Sequence, residues 1–94
     1  MTHKCLKITF GAGIPEGFLQ GFVQENAKKL SLEGVVQHIT TEDRIRVIVC
    51  GGKDAVDQFV DILHNGSDKV VLEDIQIEPF LKDKDYRGVF RVIE

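Results

Sequence analysis

The sequence has no tryptophan, only one tyrosine, and only two prolines and two cysteines among its 94 residues. Two cysteines are too few for a disulfide framework, and no Cys-x-x-Cys or Cys/His pair has zinc-binding spacing. No apolar run approaches the roughly 20 residues of a membrane helix, and the first seven residues are too polar for a signal peptide. We therefore expect a cytoplasmic protein with no metal or other cofactor, in which Cys5 and Cys50 are reduced.

An excess of positive charge is also absent. Twelve lysines and arginines face fifteen aspartates and glutamates, which gives a net charge of −3. This balance does not suit a protein whose main partner is the phosphate backbone of a nucleic acid. The chain length allows one core of ordinary size, so we expect residues 1–94 to form a single domain.

Hydrophobic periodicity predicts an alternation of strands and helices. Residues 4–10 alternate polar and apolar side chains, as strands do, and from Phe18 the apolar spacing is that of an amphipathic helix. Strand-like runs follow at residues 35–39 and 44–49. A second helical pattern, capped by Asp54, comes next. After it lie a strand-like run over residues 70–80 and a short last strand over residues 89–93. This β-α-β-β-α-β order with a terminal strand predicts an α+β, ferredoxin-like split βαβ fold, with two helices on one face of an antiparallel sheet.

The same alternation places seven side chains of the first and third strands on the face away from the helices: Cys5, Lys7, Thr9, Arg44, Arg46, Ile48 and Cys50. None is aromatic, so the base-stacking platform of an RNA-recognition sheet is missing. The two cysteines could approach closely enough to oxidise, although two free thiols remain the expectation. The three cations could form a small patch for a protein partner or an acidic ligand, but a solvated face is the simpler interpretation.

A glycine-rich segment, residues 11–17, separates the first strand from the first helix. Its glycines do not have G-x-G-x-x-G spacing, and no parallel βαβ unit follows. A turn with unusual backbone angles is the simpler interpretation, and a small-anion or peptide pocket is the alternative. Pro15 removes one N–H donor, and Glu16 places negative charge where an anion would bind at the helix start.

A family resemblance rests on residues 22–34, with the sequence FVQENAKKLSLEG, on Cys50-Gly51, and on the apolar positions of residues 55–63 before Gly66. In order and spacing these segments resemble the first helix, third strand and second helix of the acylphosphatases. Those small enzymes share the predicted fold and hydrolyse the mixed anhydride of a carboxyl-phosphate. The resemblance covers about residues 8–93 and implies, where the family's motifs are kept, hydrolysis without a metal or cofactor.

The two catalytic motifs of that family are altered here. Its loop reads G-R-V-Q-G-V-G-F-R, and the second arginine binds the substrate phosphate. Counted back from the helix, this arginine falls on Gln20; counted forward from Gly17, it falls on Leu19. The second motif, G-W-V-K-N, matches residues 34–38, so the asparagine that orients the attacking water is His38. The candidate pocket is Gly17, Leu19, Gln20 and His38.

These replacements bear on activity. An arginine at the transferred phosphoryl group is worth about 10³ to 10⁵ in rate. His38 could orient a water, because imidazole offers a donor and an acceptor, although a half-exposed histidine at a strand end is the simpler interpretation. We expect an impaired acylphosphatase-like domain that acts as a binding or regulatory module for a small anion or a protein. The alternative is a working acylphosphatase that uses loop N–H groups and Arg44 or Arg46 as a substitute cation.

Overall fold

The computed structural model describes residues 3–14, 17–66, 72, 74–80 and 89–93. Within these residues the chain forms, in order, β1 (His3–Gly11), helix α1, β2 (Glu33–Ile39), β3 (Arg44–Gly52), helix α2 (Lys53–Asn65), β4 (Gln76–Pro79) and β5 (Phe90–Ile93). Helix α1 consists of a π-helical segment, Leu19–Gln24, followed by an α-helical segment, Glu25–Lys29. The predicted α+β class and ferredoxin-like order of elements are confirmed.

The five strands form one sheet in the order β4-β1-β3-β2-β5. Three neighbouring pairs are antiparallel, whereas β5 runs parallel to β2. The predicted antiparallel sheet therefore holds for all but one edge. Because β1 and β2 both pair antiparallel with β3, their C-terminal ends lie at the same end of the sheet. The chain leaves β1 toward α1 at that end.

Both helices pack on one face of this sheet. Val23 and Ala27, four residues apart, are the wholly buried side chains of α1, and in α2 the buried side chains recur at helical spacing. They join one cluster with the predicted core residues of β1, which are confirmed as buried: Leu6, Ile8 and Phe10. Phe59 of α2 meets Phe90 of β5 edge to face, with ring centroids 6.1 Å apart. Each such buried side chain contributes about 1.5–3 kcal/mol.

The start of α2 and the extent of the fourth strand differ from the prediction. Helix α2 begins two residues earlier than predicted, because Gly52 rather than Asp54 occupies the N-cap and Asp54 lies inside the first turn. There its carboxylate faces the positive end of the helix dipole. The strand predicted over residues 70–80 is observed only at its end, where β4 runs to Pro79. Residues 70, 71 and 73 of that prediction lie outside the described residues.

Cys5 and Cys50 form a disulfide bond, so the prediction of two reduced thiols is wrong. The register of β1 and β3 places them directly opposite each other, with their Cα atoms 4.2 Å apart. The Phe80 N–H donates to the carbonyl of Cys5, so the backbone polar groups of Cys5 point toward β4 rather than β3. Cys5 and Cys50 are thus directly opposite residues that do not hydrogen-bond to each other. Such pairs lie closest together in an antiparallel ladder, which explains why the two sulfur atoms meet.

Neither helix in the described part of the chain is long and apolar enough to cross a membrane. The cytoplasmic location stays a prediction. Stable disulfides are typical of oxidising compartments, so the bond between Cys5 and Cys50 does not support that location.

An ion pair links β1 to α2. The Nζ atom of Lys4 lies 2.8 Å from Oδ1 of Asp57, and the Nζ atom of Lys53 lies 3.3 Å from Oδ2. Hydrogen bonds from these two lysines lower the pKa of Asp57 below its ordinary value of 3.8, and the bond from Lys4 has the larger effect. All three side chains are partly exposed, so solvent screens the interaction.

The lowered pKa of Asp57 predicts a pH-dependent contribution to stability. A carboxyl group whose pKa is lower in the folded than in the unfolded state stabilises the fold at pH values above its unfolded-state pKa. This contribution is lost as the pH falls through the folded-state pKa. Asp57→Asn should therefore reduce the free energy of unfolding at about pH 7 and have less effect at about pH 3. Urea denaturation measures this, with Gln58→Ala as the exposed neutral control. An equal effect at both pH values would contradict the role of Asp57.

At Gly34 the backbone of β2 passes close to the backbone of β3. Its φ is +147°, and a Cβ there would overlap the carbonyl oxygen of Ile48. We predict that Gly34→Ala lowers the free energy of unfolding by roughly 2–4 kcal/mol, measured by chemical denaturation. Gly21→Ala is the matched control, because that glycine is helical and its added Cβ meets nothing within 4 Å. The control should raise stability by about 0.5–1 kcal/mol. Equal stabilities would show that β2 can move aside.

Candidate functional site

The four residues of the candidate pocket lie at one end of the sheet. Leu19 and Gln20 begin α1, Gly17 lies just before this helix, and His38 is near the end of β2. His38 is opposite Ile45 of β3, which is opposite Phe10 of β1. Because Ile45 and Phe10 are both buried in the core under the helices, His38 lies on the helix-covered face. Its side chain is 42% exposed, so it sits at the rim.

The backbone turns sharply just before α1. Gly17 has a φ of +83°, and its carbonyl accepts a hydrogen bond of 2.8 Å from the Gly21 N–H. Only glycine adopts this conformation without steric cost, which agrees with the predicted turn of unusual backbone angles. Phe18 occupies the N-cap without a side-chain hydrogen bond. Pro15 and Glu16 lie outside the described residues, so their predicted effects on an anion stay predictions.

Burial distinguishes the two positions that could correspond to the phosphate-binding arginine. Leu19 is 9% exposed and packs in the core, whereas Gln20 is exposed. A guanidinium at position 19 would be withdrawn from water, while one at position 20 would face it. The geometry therefore favours Gln20. Counting along the sequence left both positions open, because the extra residue near Gly17 can be placed on either side of it.

His38 has a carboxylate beside it. Its Nε2 lies 3.4 Å from Oδ1 of Asp43, in the turn between β2 and β3. Asp43 has a φ of +52°, a conformation that aspartate tolerates better than most residues. When Nε2 carries the proton, it donates toward Asp43 and leaves Nδ1 as an acceptor for a water molecule. The sequence did not indicate Asp43, because a contact across a turn depends on turn geometry.

The proposed substitute cations face away from α1. Arg44 donates from Nη2 to the carbonyl of Asp74 at 2.6 Å, and Arg46 donates from Nη2 to Oε1 of Gln37 at 3.1 Å. In the β1–β3 register both share the face of Thr9, opposite the core. The other described lysines and arginines lie elsewhere: Lys4 and Lys53 at Asp57, Lys7 at Glu78, Lys28 and Lys29 at the end of α1, and Arg91 on β5.

A groove of about 330 Å³ lies on the open face of the sheet, and polar and charged residues line it: Lys7, Thr9, Glu42, Arg44, Gln76 and Glu78. The Nζ atom of Lys7 is 3.1 Å from Oε2 of Glu78, so this cation is already paired. Two carboxylates balance two cations, which agrees with a solvated face rather than a cationic patch. In the part of the chain that the structure describes, no three His, Cys, Asp or Glu side chains cluster to hold a metal ion.

Comparison with known proteins identifies the family. The acylphosphatase family profile matches residues 16–92, so the chain belongs to the acylphosphatase family. An acylphosphatase from Caldivirga maquilingensis is 25% identical over 80 residues, which cover 80% of this chain and 84% of that protein. The crystal structure of acylphosphatase from Bacillus subtilis has a TM-score of 0.80 at 22% identity and covers 99% of this chain and 100% of that chain.

The same fold also occurs inside a larger protein. Full-length HypF, crystallised in its phosphate- and nucleotide-bound form, matches with a TM-score of 0.79 at 18% identity. The match covers 99% of this chain but 12% of HypF. The fold is therefore found both as an acylphosphatase and as one part of a longer chain.

The assignment of Gln20 rather than Leu19 to the arginine position can be tested by stability. Leu19→Arg should lower the free energy of unfolding by about 2–5 kcal/mol, because it removes a core side chain and buries a charge. Gln20→Arg should stay within about 0.5 kcal/mol of the wild type. Urea denaturation of the two variants, which carry the same new side chain, measures the difference. Equal tolerance at both positions would contradict the burial of Leu19.

Proposed function

We propose that residues 1–94 form a single acylphosphatase-family domain with impaired catalysis, which acts as a binding or regulatory module. The observation that supports this proposal is the chemistry of the candidate pocket. Its exposed position at the start of α1 is Gln20, while the described arginines of β3 donate to partners on the opposite face. A neutral amide can donate a hydrogen bond to a phosphate oxygen, but it supplies no charge.

The expected loss follows from the reaction itself. Phosphoryl transfer depends on positioning the nucleophile and on stabilising charge on the phosphoryl oxygens. Gln20 lacks the second of these functions. His38 can still orient a water, but the carboxylate of Asp43 stands 3.4 Å from its ring, and that negative charge disfavours a phosphate dianion nearby. The missing charge at Gln20 and the carboxylate beside His38 therefore both act against turnover, and their effects need not add.

A small anion or a protein is the partner class that this proposal favours. The net charge of −3 and the balanced charges of the open-face groove do not favour nucleic acid. The start of α1 favours an anion even without arginine, because the positive end of the helix dipole lies there. No metal or cofactor enters the proposal.

A working acylphosphatase is the alternative, and family membership is the observation in its favour. It requires a cation to replace the missing arginine. Arg46 would have to leave Gln37 and cross the sheet, and Arg44 would have to leave Asp74 and pass around the end of β1 at Gly11. Of the two, Arg44 has the shorter route, because it pairs with the last residue of β1.

Turnover of benzoyl phosphate by the purified protein tests the proposal. We expect the wild type to stay close to the spontaneous rate of hydrolysis and the double variant Gln20→Arg/His38→Asn to gain about 10²-fold or more. The matched control is Gln20→Met/His38→Asn, which restores the asparagine without the charge and should not gain.

Two results would contradict this expectation. Turnover by the wild type far above the spontaneous rate would show that catalysis is retained. If Arg44→Met then abolished this turnover and Arg46→Met did not, Arg44 would be identified as the substitute cation. A folded double variant without activity would show that these two replacements are not what limits the pocket.

A further inference from the structure

The disulfide between Cys5 and Cys50 lies at the end of the sheet opposite the candidate pocket, near the start of β1 and the end of β3. Its two halves differ in burial, because Cys50 is 0% exposed and Cys5 is half-buried. We propose that this disulfide is a reversible thiol-exchange site, which a dithiol reductant opens by attacking Sγ of Cys5. The inference is independent of the function proposed for the pocket.

The strand order defines the direction of attack on Cys5. A thiolate must approach in line with the bond that it breaks. Because Cys50 lies on β3, the line through Sγ of Cys5 continues toward β4 on the other side of β1. The pairing of β4 with β1 ends at Pro79, and Phe80 contributes one further hydrogen bond of 3.1 Å to the Cys5 carbonyl. Cys5 is therefore directly opposite Phe80, one residue beyond the end of β4, and it stays half-buried there.

Attack on Cys50 is disfavoured by its burial. Its side chain is wholly buried, so a reductant reaches it only after the structure opens. Cys5 is half-buried, so part of this residue is exposed to solvent in the folded protein. Exchange is thus directed to Cys5.

The exchange can be written with its atoms and electrons balanced. A thiolate of the reductant forms a new S–S bond with Sγ of Cys5, and the bond to Cys50 breaks. The electron pair passes to Sγ of Cys50, which takes up a proton. The second thiol of the reductant then attacks the reductant's own sulfur in the mixed disulfide and releases Cys5 as a thiol. The protein gains two thiols, and the dithiol becomes a disulfide.

A dithiol completes this reaction better than a monothiol. In the mixed disulfide of a folded protein, the register of β1 and β3 keeps Cys50 directly opposite Cys5. Its return attack is intramolecular and is favoured by high effective concentration, so the original bond re-forms. The second thiol of a dithiol is equally close to the mixed disulfide and can compete with it. The fold therefore selects dithiol reductants.

Mass spectrometry of the native wild-type protein tests the proposal. Samples are treated with dithiothreitol or with 2-mercaptoethanol at equal thiol concentration, quenched in acid, alkylated and digested. We expect dithiothreitol to open the bond in the folded protein and 2-mercaptoethanol to give a minor mixed disulfide on Cys5. A mixed disulfide on Cys50 would overturn the proposal. So would reduction by dithiothreitol that is no faster than global unfolding measured under the same conditions.

Single-cysteine variants test the difference in access directly. Cys50→Ser leaves only Cys5, and Cys5→Ser leaves only Cys50. Iodoacetamide should modify Cys5 about tenfold faster or more, because modification of Cys50 requires local opening. Circular dichroism verifies that each variant is folded, and the alanine pair Cys50→Ala and Cys5→Ala repeats the comparison. If the variants do not fold, the test depends on which cysteine of the wild-type protein carries the mixed disulfide. Equal modification rates in folded variants would contradict the proposal.

Discussion

Burial of β3 on both faces of the sheet is the constraint on which the rest of the structure depends. Val47 and Val49 are fully buried on the helix side, and Ile48 and Cys50 are 5% and 0% exposed on the other. A strand buried on both faces cannot shift by one residue without exchanging its two apolar sets. Its register therefore positions β1 and β2, and it brings the ends of both strands to the start of α1. The close approach at Gly34 acts on the same strand.

Much of this fold could be predicted from the sequence, because it depends on local periods. Alternation identified Leu6, Ile8 and Phe10 as core residues of β1 without knowledge of the pairing partner. Register and strand direction are not local properties, since they follow from which residues face one another after folding. For that reason the sequence placed Cys5 and Cys50 on one face of neighbouring strands but did not predict that they are directly opposite. The parallel edge formed by β5 escaped prediction for the same reason.

The candidate site shows the same division between local and non-local information. Alternation correctly placed Arg44 and Arg46 on the face away from the helices, which is the geometry that argues against them as substitute cations. The choice between Leu19 and Gln20 required burial, because one uncertain residue in a glycine-rich loop shifts every count across it. The contact of His38 with Asp43 depends on a turn whose conformation no periodic pattern describes.

The structure also separates the scaffold of this family from its chemistry. Val23 and Ala27 hold α1 against the sheet, and Nε2 of Gln24 ties it to the Phe90 carbonyl of β5 at 3.0 Å. None of these contacts uses the exposed side chains of Gln20 or His38. A helix held in this way directs the positive end of its dipole toward this end of the sheet whether or not an arginine stands beside it. Family membership therefore accounts for the scaffold around the candidate site, whereas the chemistry proposed for it depends on the side chains at positions 20 and 38.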